Sequence, residues 1–409
     1  MIRSKQRDTI LIVSFLAWSF LLTFPTMTAS AALGSGNEVL LYQVMGAAQY
    51  LAVAILLGLS GDLIPRFDPF QLAILVIVYC SLCVQLHDDP ASIMTGIAYT
   101  VALLVTILAL SLLYTMPPDR VAWVLGGAAI VFVGFGVTAI VLFGWPQDRH
   151  LGPIHPNSFG TVMLSAFILS QFREGAFFAI LRIVSLVLAA SVSSRFALIG
   201  SLLALLVFEI TLNPFNRKLL LLPVVAAAAF VAFPHQISEV FALNDSTRNI
   251  GSGFTGRGEE WITALDLIAE YPFGMGFKRP PYEYAGHNGY LKSILEFGIV
   301  GGGLIFVAVV GIVLRSLHDA IAGSGGDSRL RRFASARAAG LVALTFATFF
   351  QPQMFNLGDV HGLTFMLLLF RPRTGPAGSM RTLHRDDSPL ARQRGAFGIG
   401  RSSRAAPLG

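Results

Sequence analysis

Residues 121–143 read VAWVLGGAAIVFVGFGVTAIVLF. No Asp, Glu, Lys or Arg interrupts them, and about 20 such residues are enough to cross a hydrocarbon core. Working outward, similar runs recur near 10–31, 39–59, 70–86, 93–115, 157–172, 176–192, 196–212, 219–233, 297–314, 337–351 and 360–371, roughly twelve spans in all. The composition agrees: of 409 residues, 54% are hydrophobic and only 13% charged, with a mean hydropathy of +0.68. Soluble domains carry about 25% charged residues, so an ordinary globular protein is excluded. Backbone polar groups in lipid must be satisfied within the segment, which makes the spans helices. The expectation is an all-α integral membrane protein, a polytopic helical bundle of about 12 transmembrane helices.

The net charge is +6, yet its distribution argues against nucleic acid as a partner. Cations gather at Arg3/Lys5/Arg7, Arg66, Arg120, Arg173, Arg217/Lys218, Arg315 to Arg337 and Arg371 to Arg404, segments that alternate along the chain. Cytoplasmic loops are enriched in Lys and Arg, so these segments share the cytoplasmic side and both termini lie there. The one long polar stretch between spans, 234–296, is then outside. The chain thus divides into a membrane bundle at 1–233 of about nine spans, an outer loop at 234–296, further spans at 297–371 and a basic tail at 372–409. The tail is rich in Arg, Gly, Pro and Ser with little to bury, and reads as disordered. Its cations suit topology and contact with membrane lipids.

Ala29-Ser30-Ala31 resembles a signal-peptide cleavage site, but the apolar run before it is too long for the usual h-region, so the first span reads as uncleaved. Cys80 and Cys83, the only cysteines, fall inside a span. There they are small apolar residues, and two thiols do not complete a zinc site.

The polar stretch holds the candidate chemistry. Glu259 to Glu270 has helical periodicity, with Trp261, Leu265 and Ile268 on one face. Pro272, Gly274 and Gly276 end that helix in a turn region. A second helix starts near Asn288 and meets the membrane at Gly298, where Gly301–Gly302–Gly303 suits close approach of another helix. Arg257 stands at the first helix's N-terminal edge, suited to an anion such as phosphate, or equally to pairing with Glu259 or Glu260. Arg195, directly before an apolar run, breaks the charge pattern and faces a cavity or partner, or else snorkels to headgroups. Arg182, deeper in its span, reads as snorkelling. His287, at a helix start, is kept neutral by the dipole and is the best candidate base. Asn288 either orients it or caps the helix. His155–Pro156–Asn157, in a second polar loop with Arg149 and His150, either lines the site or caps the next span. No Gly-x-Gly-x-x-Gly after a strand, no P-loop, no His-Glu-x-x-His and no Asp-x-Asp occurs, and no acidic pair other than Glu259/Glu260 stands near Arg257 or His287. Metal-independent chemistry without a cofactor is the expectation.

Across Ser194–Arg195, Arg257–x–x–x–Trp261, Tyr271–Pro272–Phe273–Gly274–Met275–Gly276, His287–Asn288–x–Tyr290–Leu291 and Glu296–Phe297–Gly298–Ile299–Val300–Gly301, the chain resembles the O-antigen ligase and Wzy-type polymerase superfamily. The resemblance covers about residues 150–310. It departs in the loop from Gln351 to Val360, which offers Gln351, Gln353 and Asp359 where many relatives have a Glu. The resemblance implies a GT-C-like bundle in the bacterial inner membrane with one large periplasmic loop. It implies glycosyl transfer from an undecaprenyl-pyrophosphate-linked glycan to a glycan or lipid acceptor, in O-antigen, lipopolysaccharide or exopolysaccharide biosynthesis, with a chain-length regulator as a further partner. Residue by residue, it gives Arg195 and Arg257 to the donor pyrophosphate and His287 to activation of the acceptor hydroxyl. Asn288, Trp261, Asn157 and Tyr290 become supporting residues. Polymerase, ligase and protein O-oligosaccharyltransferase share these residues; polymerase is favoured only because no further outer domain offers a dock for a protein acceptor. A transporter or flippase of lipid-linked oligosaccharide is the reading from another class. It predicts near-symmetric halves and buried ionisable residues, which the nearly charge-free spans and the lack of a visible repeat disfavour.

Overall fold

The computed structural model describes residues 4–23, 58, 103, 106, 110–146, 149–213, 231–232, 235, 238, 257–276, 287–322, 327–351 and 359–370. Nearly all of the spans expected near 39–59 and 219–233, the whole of 70–86 with Cys80 and Cys83, most of 93–115, the stretches 239–256 and 277–286 and the tail 372–409 lie outside the described residues. The count of about twelve spans is therefore not tested. Met1–Pro372 forms one compact unit that contains every described residue.

The described elements are α1 (Ser4–Leu21), α2 (Pro118–Phe143), α3 (Pro156–Ser170), α4 (Ala176–Ser191), α5 (Arg195–Leu212), α6 (Arg257–Glu270), α7 (Gly289–Ala322), α8 (Ser328–Ala347) and α9 (Val360–Leu368). Among the described residues, α2, α5 and α7 are long and apolar enough to cross a membrane, and Asp8–Leu21 and α4 are shorter apolar helices. The helical membrane protein expected from the sequence is present in this form. α3 is buried along nearly its whole length and packs against α2, α4, α5, α8 and α9, so it is the axis of the bundle. Small residues set the closest approaches. A Cβ at Gly340 of α8 would meet Leu368 Cδ1 and Ile168 Cγ2 at 2.5 and 2.6 Å, so the glycine brings α8 close against α9 and α3 without displacing those side chains.

α3, α4 and α5 follow one another through short turns and pack together, which gives the bundle two ends. At one end Arg120 pairs with Asp8, Arg329 with Asp119 at 2.6 Å and Arg332 with Glu174 at 3.2 Å. Nearby, Arg337 is buried and donates to the last carbonyls of α9, Leu368 O at 2.7 Å and Leu369 O at 3.3 Å, with Asp319 at 3.8 Å. A buried guanidinium thus closes carbonyls that have no partner within their own helix. Asp327 caps α8 by accepting from Arg329 N and Leu330 N, so Arg329 to Arg332 lie on the helix. The other end carries the loop residues 144–146 and 149–155, with 192–194, 287–288 and 348–351.

Candidate active site

The polar segment folds onto the first half of α7. α6 begins at Arg257, and its acidic first turn, Glu259 and Glu260, complements the positive end of the helix dipole. Its buried stripe is Ala264 and Ile268, packed with Leu295 and flanked by Leu267, Leu291, Ile294 and Met275. Trp261 is half-buried, but Leu265 is exposed, so the face expected from Trp261, Leu265 and Ile268 is rotated. The i,i+4 pair that packs is Ala264–Ile268, since α7 approaches closely enough to need a small side chain there.

After α6, the turn at Tyr271–Gly276 is fixed by two backbone bonds, Met275 N to Leu295 O at 2.7 Å and Ile299 N to Pro272 O at 2.9 Å. Gly274 and Gly276 both have positive φ. α7 breaks where this turn lands. Gly298 has φ 76°, and a Cβ there would meet the Phe273 backbone at 2.6 Å. The left-handed dihedral and the missing side chain are both required, which explains why Pro272–Gly276 and Gly298 occur together. Across the kink, a Cβ at Gly302 would meet the Ile294 backbone at 2.6 Å, while nothing described lies within 4 Å of one at Gly303. At Gly302 the glycine run therefore accommodates the first half of α7 itself and not another helix.

His287 and Asn288 precede α7. Asn288 is buried, and its Oδ1 accepts from Tyr290 N at 3.0 Å and Leu291 N at 3.1 Å. Of its two readings it takes the N-cap. Gly289 N donates to Thr348 O at 2.8 Å, and a Cβ at Gly289 would meet Thr348 Cγ2 at 2.6 Å. Tyr290 Oη donates to Thr345 O at 2.9 Å and packs against Phe306 and Phe349. Gly289 and Tyr290 thus dock the start of α7 on the C-terminal end of α8 and hold His287 at that junction. Gly289 is the positioning residue that sequence reasoning missed; its signal was a glycine at a helix start between a cap and an aromatic.

The charges converge here. The Arg257 guanidinium carbon lies 5.8 Å from the Phe350 ring centroid, at the end of α8. His287 is half-buried, and its pKa is pushed down to about 4, first by burial, then by the Arg257 cation and by His155. Burial and Arg257 thus act beside the helix dipole to which the sequence points. Burial also raises the Glu260 carboxyl, and Arg257 opposes that rise. The field of Arg257 thus reaches both the Glu260 carboxylate and the His287 imidazole.

The second polar loop meets the same place. His155 is the N-cap of α3, its Nδ1 accepting from Asn157 N at 3.2 Å, and its pKa is lowered by crowding, by Arg149 and by His150. The capping side chain in His155–Pro156–Asn157 is the histidine, and Asn157 contributes only its backbone. Arg149 Nε donates to Val192 O at 3.4 Å and ties this loop to the turn that presents Arg195 at the first residue of α5. The structure thus brings Arg257, His287 and His155 into one electrostatic neighbourhood, with Arg195 half-buried at the same end of the bundle. Asp359 accepts from Gly362 N at 2.9 Å and caps α9, so the acid offered by the last loop is committed to a helix start. Among the described residues, no group of three or more His, Cys, Asp or Glu stands close enough to hold a metal ion.

No curated protein matches the chain. Residues 159–307 match the family model Wzy_C, described as O-antigen ligase, a segment that runs from α3 into α7 and contains Arg195, Arg257, Trp261 and His287–Tyr290. Over that segment the chain is similar to the O-antigen ligase family, which supports the O-antigen ligase and Wzy superfamily and a membrane enzyme of surface-polysaccharide biosynthesis.

Proposed function

We propose that the chain is a glycosyltransferase that moves glycan from an undecaprenyl-pyrophosphate carrier to a sugar or lipid acceptor on the periplasmic face. One observation carries this reading: a fixed cation, Arg257, beside a neutral imidazole, His287, inside the matched segment. Arg120, Arg173, Arg329, Arg331 and Arg332, from the cation-rich segments that alternate along the chain, gather at the opposite end. By the positive-inside rule the site then faces the periplasm, and nucleotide-sugar donors of the cytoplasm are out of reach.

A sugar hydroxyl is a poor nucleophile. His287 accepts its proton as the oxygen bonds to the anomeric carbon, a step worth about 10²–10⁴-fold in rate. The anomeric C–O bond to phosphate breaks, and its electron pair leaves on the pyrophosphate. Arg257, with Arg195, stabilises that charge through guanidinium donors and needs no metal. Attack opposite the leaving group inverts the anomeric centre. The anion itself tunes the base: bound pyrophosphate offsets the Arg257 cation, one cause of the low His287 pKa, and makes the imidazole more basic when the donor is present. A shielded, partly buried imidazole stays unprotonated until then.

The purified full chain in nanodiscs, given undecaprenyl-pyrophosphate-linked glycan, is expected to release undecaprenyl pyrophosphate and to lengthen or transfer the glycan, with or without excess chelator. Movement of the intact donor between leaflets without cleavage would assign the chain to transport and overturn the reading. Activity lost to chelator and restored by a divalent ion would overturn metal independence.

A further inference from the structure

A cavity of about 350 Å³ lies at the arginine-rich end, far from the candidate active site, between the starts of α2 and α8 and the α3–α4 turn. Its lining includes Asp119, Trp123, Arg173, Glu174, Arg329 and Arg332. The two acids are already answered. Arg329 holds Asp119 at 2.6 Å, and Arg332 holds Glu174 at 3.2 Å. Arg332 is further committed to the α3–α4 turn, donating from Nε to Gln171 O and from a terminal nitrogen to Arg173 O, both at 3.0 Å. One cation is left over.

That cation is Arg173, and it is held in place. Its stem crosses α2 at Gly126, where an added Cβ would meet Arg173 Cγ at 2.8 Å. Its guanidinium lies flat on Trp123, 3.7 Å from carbon to ring centroid, with Phe178 at 5.9 Å. Stacking occupies a face of the guanidinium and leaves its donors in the plane, and Nε is buried with no hydrogen-bond partner among the described residues. A positioned planar donor fork suits a phosphate.

The surroundings specify what bears that phosphate. Trp123 is 56% exposed and Phe177 55%, and the same outward surfaces continue along α2 through Ile130 and Val137 and along α4 through Ile180 and Ile183. The cavity therefore adjoins apolar stripes of lipid-facing character, with aromatics at the level where membrane proteins place them in the interface. A soluble phosphate would use only the cavity. A lipid phosphate uses the cavity and the stripe.

We propose that Arg173, stacked on Trp123, is the seat for the phosphate of a membrane lipid in the leaflet at the arginine-rich end, its chains lying along the exposed faces of α2 and α4. Both a resident anionic phospholipid and a polyprenyl phosphate have this chemistry, and they are distinguishable by competition. The proposal is independent of the transfer chemistry at the other end.

The test is native mass spectrometry of the full-length chain released from detergent with phosphatidylglycerol, phosphatidylcholine, undecaprenyl phosphate or inorganic phosphate added. The wild type is expected to retain phosphatidylglycerol or undecaprenyl phosphate over phosphatidylcholine, with affinity falling about tenfold or more in Arg173→Gln, the loss expected for a charged hydrogen bond. Arg173→Lys, which keeps the charge without the stacked fork, is expected to fall between the two. Displacement of phosphatidylglycerol by equimolar undecaprenyl phosphate identifies the polyprenyl lipid as the occupant; persistence of phosphatidylglycerol identifies the phospholipid. Equal retention of phosphatidylcholine, retention unchanged in Arg173→Gln, or inorganic phosphate competing as well as the lipids would each overturn the proposal. Thermal unfolding without added lipid separates loss of the seat from loss of the fold, since a folded Arg173→Gln chain keeps the wild-type midpoint.

Discussion

The two ends of the bundle use arginine in opposite ways. At one end Arg120, Arg329, Arg332 and Arg337 are held by Asp8, Asp119, Glu174 and the carbonyls that close α9. At the other, Arg257 sits against an aromatic ring and lowers the basicity of a nearby histidine. The first arrangement satisfies charge and orders helix ends. The second leaves a cation where it perturbs a titratable group, which is costly for a fold and useful for chemistry. The proposed transfer site lies at the second end, and the proposed lipid seat at the first.

The largest effect is expected at Arg257. Arg257→Ala should slow transfer by about 10²–10³-fold, as removal of one donor to a developing anion does. It should also move the acid limb of kcat/KM upward from about pH 4, because a cause lowering the His287 pKa disappears while burial and His155 remain. An unshifted limb would mean that Arg257 does not act on His287. Next comes Arg337→Ala at the other end. It leaves the end of α9 without its buried cation and should cost about 3 kcal/mol in unfolding measurements on protein that still turns over when folded. Gly298→Ala should cost about 1–3 kcal/mol through strain at φ 76° and displacement of Phe273, with activity falling as the turn at Tyr271–Gly276 shifts. The smallest effect belongs to Arg329→Ala, whose partner Asp119 is exposed; a change above about 1 kcal/mol would contradict the view that this pair is solvated.

Much of this contrast was legible in the sequence. The charge alternation separates the ends, and Arg257, His287 and the Pro272–Gly276 turn stand in a chain otherwise short of polar residues. Helix starts at Arg195, Arg257 and Asn288 followed from caps and apolar runs, which are local. Three things were not legible because they depend on packing between distant segments. The buried face of α6 is set by the width of the gap to α7, which periodicity does not encode. The role of Gly302 depends on a kink whose cause, the Phe273 backbone, lies in another element. The separation of Arg337 from its exposed neighbours depends on where α9 ends. Whether Asn288 caps its helix or contacts substrate is decided by 3 Å geometry, and no spacing rule resolves that.

The most direct measurement is single-turnover transfer by His287→Ala in nanodiscs, with undecaprenyl-pyrophosphate-linked glycan saturating and unfolding monitored in parallel. The expected result is a folded protein that binds donor and is slower by about 10²–10⁴-fold at neutral pH, the contribution of a general base. A His287→Ala chain that transfers glycan at the wild-type rate would contradict the assignment of His287 as the base beside Arg257.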